Sequence, residues 1–488
     1  MFADSVQNAG IVTPLLIMAV WGIILMFIDL NVKTENKHVT AWLSLVGILP
    51  ALLITFLQWG SSADAFLTSS GTPMVVLDNF GTFLNVLYLI TGLLAVLMSI
   101  GYVRGTSMAR GEFYFLMLFS ICGMMLMGMA ADLVIVFLAL ELLSIPLYIL
   151  SGFNRDSDES EEAALKYFLL GAFSSGFLVF GIALIYGATG STALSIIAAN
   201  IGQSGTLGMA GIAMLLVGFA FKVGAVPFHM WTPDVYEGAP TAVTAFMSVG
   251  AKVGGFAAMI RVFAGSFESL TAEWAPAIAF IAAITMIVGN ISAITQNNIK
   301  RMLAYSSIAH AGYILMGLAA GREGVSASLY YMLTYLFTNL GAFAIVIAME
   351  RFSGEEGLQL DDYKGLAKRN PKFALVLMYL MLSLTGIPLT GGFTGKFYVF
   401  QAAVDNGLVW LAVVGALTSV VSAFYYLRPV YNAFMFDGPG QVQSMPRGLT
   451  ISIGIATAAT IILGIFPTPW YEVAQQALLP AITAVAGG

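Results

Sequence analysis

Fourteen apolar runs, each close to the length that crosses a bilayer, dominate this chain and leave it few ways to fold. They lie near 11–30, 41–59, 80–102, 112–131, 132–151, 163–187, 209–230, 241–263, 274–295, 300–320, 325–349, 373–402, 408–435 and 449–466. A membrane helix needs about 20 mostly apolar residues, because at about 1.5 Å per residue that length matches a hydrocarbon core about 30 Å thick. Only 9% of the 488 residues are charged and 59% are hydrophobic, whereas a soluble domain carries roughly 25% charge. The expected fold class is an all-α polytopic membrane protein with about 14 transmembrane helices. The first run has neither the basic flank nor the Ala-x-Ala site of a cleavable signal, so it reads as a retained helix. A net charge of −6 argues against a nucleic-acid partner, and a single cysteine, Cys122, excludes a disulfide framework and a Cys-ligated iron–sulfur cluster.

The cations give an orientation. Thirteen of the 20 Lys and Arg residues, among them Lys33, Lys37, Lys300, Arg301 and Lys372, fall in loops after odd-numbered runs, and two, Arg261 and Arg322, fall after even-numbered ones. Basic loops stay in the cytoplasm. The asymmetry therefore places odd loops, including 351–372, in the cytoplasm and both termini on the opposite side. Five cations remain inside runs: Lys166, Lys222, Lys252, Lys396 and Arg428.

A charge at mid-bilayer costs at least about 2.5–3.5 kcal/mol, so it persists where it is paired, hydrated or useful. Glu141 is the one acid read as deep in a run; its bland alternative is a polar contact between two helices. Lys222 and Lys252 are also central, with no partner nearby in sequence. Lys166 follows Glu162 by four residues, a spacing that favours a surface ion pair. His229 follows Lys222 by seven, which on an unbroken helix is the same face two turns on. His310 is central in its own run. A b-type haem needs two facing ligands, and the third histidine, His38, lies in a loop, so no haem is expected. Arg428, late in its run, can snorkel to the cytoplasmic edge.

Two runs are interrupted. Pro227 follows Lys222 closely, with Pro233, Gly238 and Pro240 beyond it; Pro388 and Gly391–Gly392 precede Lys396. Such breaks free backbone groups at membrane depth, which is tolerable only where protein or water covers them, and paired breaks mark ion paths in transporter folds. Glu141 to Lys222 is 81 residues and His310 to Lys396 is 86; Lys222 to Lys252 is 30 and Lys396 to Arg428 is 32. The two series lie five runs apart, an odd number, so such repeats would be inverted in the membrane. The expected organisation is three N-terminal helices (1–111), two inverted five-helix repeats (112–265 and 266–436), each with one broken helix, and a last helix with a tail (437–488).

The strings ALKYFLLGAFSSG, FKVGAVPFHMWTPDVYEGAPTAVTAF, NIKRMLAYSSIAHAGY and LTGIPLTGGFTGKF closely resemble the antiporter-like membrane subunits of bacterial proton-pumping NADH:quinone oxidoreductase, respiratory complex I, and among these the subunit N family. The resemblance covers about residues 10–466. It implies a proton-translocating subunit of the membrane arm, multi-pass in the bacterial cytoplasmic (inner) membrane, with other membrane-arm subunits as partners; the charge asymmetry puts both termini on the periplasmic or outer side. The resemblance also implies no cofactor or redox chemistry in this chain; the electron donor of the whole complex is not legible here. By the same resemblance Glu141 and Lys222 pair, Lys252 follows, His229 and His310 relay along a central polar axis, and Lys396 faces the exit half-channel, with Lys166 a lesser candidate. Two alternatives from other classes are a standalone or multisubunit cation/proton antiporter subunit and a structural membrane subunit that moves no protons.

Overall fold

The computed structural model describes residues 9–33, 36–104, 106–353, 357–438 and 445–479. The chain's ends, 1–8 and 480–488, whose placement the charge asymmetry predicts, lie outside the described residues, as does 354–356 of the 351–372 loop. Six long helices come first: α1 (Thr13–Asp29), α2 (His38–Leu57), α3 (Asn79–Tyr102), α4 (Glu112–Met129), α5 (Leu133–Ser151) and α6 (Asp158–Thr189). Next are α7 (Gly205–Val223), the short α8 (Trp231–Gly238), α9 (Thr241–Ile260), α10 (Thr271–Ile294), α11 (Ile299–Ala319) and α12 (Gly321–Ser353). The chain continues with α13 (Pro371–Thr385), α14 (Gly391–Asp405), α15 (Val409–Met435), α16 (Arg447–Ile465) and the short α17 (Thr468–Gln476). Among the described residues 13 helices are long and apolar enough to cross a bilayer. The run at 373–402 supplies the fourteenth crossing as two half-helices, α13 and α14.

Local chemistry sets the boundaries. Asp78, Asp132, Asn298, Asn370 and Thr390 cap α3, α5, α11, α13 and α14 by accepting backbone N–H groups of the first turn. Those amides have no helical partner, and hydrocarbon offers no water to take them. The two breaks share one stop signal: α7 ends at Gly224 (φ +74°) and α13 at Gly386 (φ +91°), a left-handed backbone that only glycine adopts without strain. Sequence reading assigned the second break to Pro388 and Gly391–Gly392; Gly386 makes the stop, and the glycine pair opens α14.

The most enclosed spans form the centre. The apolar windows of α9 and α12 are wholly buried and that of α11 is 94% buried, against 28% for α6 and 33% for the first span. Outward faces are apolar: Phe173 on α6 and Val420 on α15 are 69% and 74% exposed. Lys252, on α9, and His310, on α11, thus stand in the interior, where lipid cannot reach.

Four features differ from the sequence reading. An antiparallel hairpin, β1 (Ala63–Leu67) and β2 (Pro73–Leu77), occupies the connection after α2, with Ala65 opposite Val75. Arg261 is not a loop cation. It is 6% exposed, pairs with both oxygens of Asp78 at 2.9 Å, and donates to the Gly128 carbonyl. Lys300, counted with the loops, is 3% exposed in the first turn of α11. Glu141, expected to be the deep acid, is only partly buried, whereas Asp29, Asp78 and Asp132 are buried, each at a helix end. Sequence spacing could not show these placements, since the groups that enclose them lie on other spans.

Candidate functional site

The polar groups of the interior are best followed from α5 across the molecule to α15. On α5, Glu141 is partly exposed, and its Oε1 accepts a 2.5 Å hydrogen bond from Ser175 on α6. Lys222, in the last turn of α7 and 4% exposed, donates to Ser144 Oγ at 2.6 Å and to the Tyr167 hydroxyl at 3.4 Å. Its ammonium also lies 5.5 Å from the centroid of the Tyr167 ring, close enough for a cation–π attraction.

The expected Glu141–Lys222 contact is not a direct ion pair. No Glu141–Lys222 approach within 4.0 Å occurs among the described ion pairs. Helix geometry gives the reason. Three residues turn an α-helix by about 300°, so Ser144 lies about 60° around α5 from Glu141. Ser144 is buried and meets α7, while Glu141 sits between the exposed Leu138, Leu142 and Ile145 and meets α6. Ser144 Oγ donates its own proton to the Leu140 carbonyl, which leaves a lone pair for Lys222.

The stem of Lys222 lies against Gly255 on α9, where a Cβ would come within 3.1 Å of its Cγ. Gly255 is three residues from Lys252, and so neighbours it on the helix surface. Lys252 is 3% exposed and donates to both the carbonyl and the Oγ of Ser307 on α11. The Tyr335 hydroxyl, from α12, also donates to Ser307 Oγ at 3.0 Å.

One turn along α11, His310 is gripped from two sides: Nδ1 meets the Tyr331 hydroxyl at 2.6 Å and Nε2 meets that of Tyr426 at 3.0 Å. Both ring nitrogens are thereby engaged. Tyr426 also bonds Ser306, and its neighbour Tyr425 donates to Asn290 at 2.9 Å.

Lys396 closes the series. It is carried by α14 but reaches back to the end of α13, donating to the carbonyls of Leu384 at 3.0 Å and Thr385 at 2.8 Å, and to Ser419 Oγ at 2.8 Å. The break at Gly386 leaves those carbonyls without helical donors, and a helix C-terminus attracts a cation. Its ammonium stands 4.8 Å from the centroid of the Tyr313 ring, which lies three residues beyond His310.

Two sequence candidates lie apart from this series. Because α7 stops at Val223, His229 falls in the connecting turn rather than two turns along the same face. Its Nδ1 is buried without a hydrogen-bond partner among the described residues. Lys166 makes the surface pair its spacing suggests, 2.5 Å from Glu162, and a second at 2.6 Å with Asp234, which also takes Arg301 at 2.8 Å. Arg428 donates to the Ile294 and Gln296 carbonyls that end α10, at 3.0 and 2.8 Å.

Sequence reasoning missed the hydroxyls: Ser144, Tyr167, Ser307, Tyr331, Tyr335, Tyr426 and Ser419. A signal existed in the tyrosines crowded into apolar spans, YYMLTY at 330–335 and FYYL at 424–427, since a buried phenol needs a hydrogen-bond partner. No group of three or more His, Cys, Asp and Glu residues suited to a metal ion occurs among the described residues.

Comparison with known proteins identifies the family. Residues 130–422 match the family described as NADH:quinone oxidoreductase/Mrp antiporter, transmembrane. The chain is 46% identical over 480 residues to NADH-quinone oxidoreductase subunit N of Trichlorobacter lovleyi, covering 96% of this chain and 97% of that protein. It is 44% identical to subunit N of Chloroflexus aggregans, with the same coverage. Among solved structures it is similar to a chain of respiratory complex I from Thermus thermophilus with bound aureothin, at 34% identity and a TM-score of 0.81, covering 95% of this chain and 100% of that one. A chain of the Mrp complex from Dietzia, at 21% identity, 98% and 97% coverage and a TM-score of 0.82, shares the fold.

Proposed function

Since the chain belongs to the NADH:quinone oxidoreductase/Mrp antiporter transmembrane family, and within it to the subunit N relatives, we propose that it is a proton-translocating subunit of the membrane arm of a quinone-reducing complex. Its partners are the other membrane-arm subunits and the bilayer of a bacterial cytoplasmic membrane, with odd loops on the cytoplasmic side. Electrons move elsewhere in the assembly, and this chain contributes no redox group. The two breaks, in the seventh and twelfth crossings, belong in this reading to two five-helix repeats of opposite orientation.

One observation carries the reading. Lys222, Lys252 and Lys396 are each nine-tenths or more buried, and among the described residues each ammonium hydrogen-bonds neutral oxygens alone. A lysine paired to a buried carboxylate cannot release its proton without stranding a negative charge in a medium that solvates it poorly. A lysine seated on serine, tyrosine and carbonyl oxygens carries no such obligation. Between the lysines stand groups that both donate and accept: Ser307, Tyr335, His310, Tyr331 and Tyr426. Hydroxyls and imidazole can pass a proton by taking one on one side and giving one on the other.

In this mechanism Lys222 holds a proton beside Ser144, and Glu141 acts on it through the α5–α6–α7 corner rather than by contact. Lys252 and His310 relay, and Lys396 releases at the second break. A change in a neighbouring subunit that moves α5 against α7 alters the Ser144–Lys222 contact. The test is Lys252→Ala in the intact complex, in inverted membrane vesicles, with proton uptake and NADH oxidation measured together. The expected result is a lower proton-to-electron ratio with electron transfer retained in uncoupled vesicles. An unchanged ratio would mean that the axis is structural.

A further inference from the structure

Two ionisable groups that this axis does not use, the part-buried Glu350 and the buried Lys300, lie at one end of the fold, where α3 and α12 finish and α9 and α11 begin. Glu350, near the end of α12, accepts from the Tyr102 hydroxyl at 2.9 Å through Oε1 and from Thr241 Oγ1 at 2.7 Å through Oε2. The Tyr102 oxygen in turn accepts the Thr241 amide at 3.1 Å. Three spans that are remote in sequence thus converge on one carboxylate. Lys300 donates to the Ala239 carbonyl at 2.6 Å, where α8 ends, and lies within electrostatic reach of Glu350 and Glu237. Tyr363 is fully buried and also within reach of Glu350 and Asp362; its hydroxyl has no hydrogen-bond partner among the described residues.

These groups leave hydrogen-bonding capacity unused. An ammonium has three donors, and Lys300 has one described acceptor. A buried hydroxyl without a described protein partner, within electrostatic reach of the carboxylate that Lys300 also reaches, is the kind of group that ordered water satisfies. From Lys300 the way inward follows α11. Ser307 is seven residues on, two turns along the same face and about 10 Å away. Ser307 is the residue that receives Lys252, and the hydroxyls of Tyr335 and Tyr236 face it.

We propose that the Glu350 carboxylate is the proton-loading site at the cytoplasmic mouth of the axis. It takes a proton from hydronium beneath the segment that carries Tyr363, leaving water behind. The resulting carboxylic acid gives that proton to water held by Lys300 and Tyr363, which delivers it to Ser307 and the Lys252 amine. Glu350 returns to the carboxylate and Lys252 becomes an ammonium, so one proton has moved inward with no change of oxidation state. This assignment rests on the proton-translocating reading and on its orientation.

The test uses the whole complex in inverted vesicles, with assembly checked by native gel, and compares Glu350→Gln, Glu350→Asp and Lys252→Ala. Glu350→Gln should lower the proton-to-electron ratio as far as Lys252→Ala does, because both interrupt one path. Glu350→Asp, which keeps a carboxylate, should restore at least half of the loss. A wild-type ratio for Glu350→Gln beside a lowered one for Lys252→Ala overturns the loading site and leaves the proposed function standing. Wild-type ratios for both overturn both. If Glu350→Asp is as poor as Glu350→Gln, the carboxylate is a strut and the proposal fails. Should Glu350→Gln not assemble, Tyr363→Phe decides the matter, since it removes a hydroxyl with no described protein partner: a lowered ratio supports the path and an unchanged one overturns it.

Discussion

A single methyl group at the second break should disable Lys396. Gly392 lies in the first turn of α14 against the end of α13, and a Cβ there would stand 1.8 Å from the Ser383 carbonyl oxygen. Real Cβ contacts essentially never fall below 3.0 Å, so Gly392→Ala must part the half-helices by about 1.2 Å, the difference of those two distances. Lys396 is four residues further along α14 and moves with it. Its bonds to Leu384 and Thr385, now 3.0 and 2.8 Å, would lengthen to about 4 Å, past hydrogen-bonding range. The side chain can follow the carbonyls only by leaving Ser419, now at 2.8 Å.

Each charge-assisted bond contributes about 1.5–3 kcal/mol, so losing two weakens this seat by about 3–6 kcal/mol. Even the lower figure is over about a hundredfold in occupancy. The neighbouring Gly391 supplies the control. Its Cβ would meet Thr460 O at 3.2 Å, a clash relieved by a few tenths of an ångström. Gly392→Ala should therefore bring the proton-to-electron ratio of the assembled complex down to that of Lys396→Ala, while Gly391→Ala stays near wild type. A wild-type ratio for Gly392→Ala, or equal damage from both, would refute the idea that contact between the half-helices seats Lys396.

Asp78→Ala leaves the Arg261 guanidinium buried with Gly128 O as its remaining described acceptor, a loss of about 3–5 kcal/mol. It should appear as a markedly lower temperature at which the purified complex sheds this subunit, and an unshifted temperature would show the pair to be dispensable. His310→Ala removes the bridge between Tyr331 and Tyr426 and should reduce proton translocation, whereas His229→Ala, outside that chain of contacts, should leave it near wild type; the reverse ranking would restore the unbroken-helix reading. For topology, a cysteine at position 372 in a Cys122→Ser background should be labelled by an impermeant maleimide only from the cytoplasmic side, and labelling from the other side would invert the orientation.

The crossings and their interruptions were legible in the sequence because the bilayer imposes a local rule. Each span must be apolar over about 20 residues and satisfy its own backbone, so the windows, the two interrupted runs and the intramembrane lysines can be read one segment at a time, although the residue that stops α13, Gly386, was not the one read. Lateral pairing has no such rule, and the tertiary structure decided it. Asp78 and Arg261 are 183 residues apart and Tyr102 and Glu350 are 248 apart, so nothing in either local sequence reveals which group the charge meets. The same reason accounts for Lys300, which reads as a loop residue until the end of α8 is laid across it. Rotation about helix axes decided the rest. A 60° difference around α5 gave Lys222 to Ser144 instead of Glu141, and the stop at Val223 took His229 off the face it would have shared with Lys222. Composition and period thus determine that this chain is a bundle of membrane helices with titratable groups inside. Which oxygen each lysine touches depends on how the helices are turned and packed, because a hydrogen bond is made or lost within about an ångström.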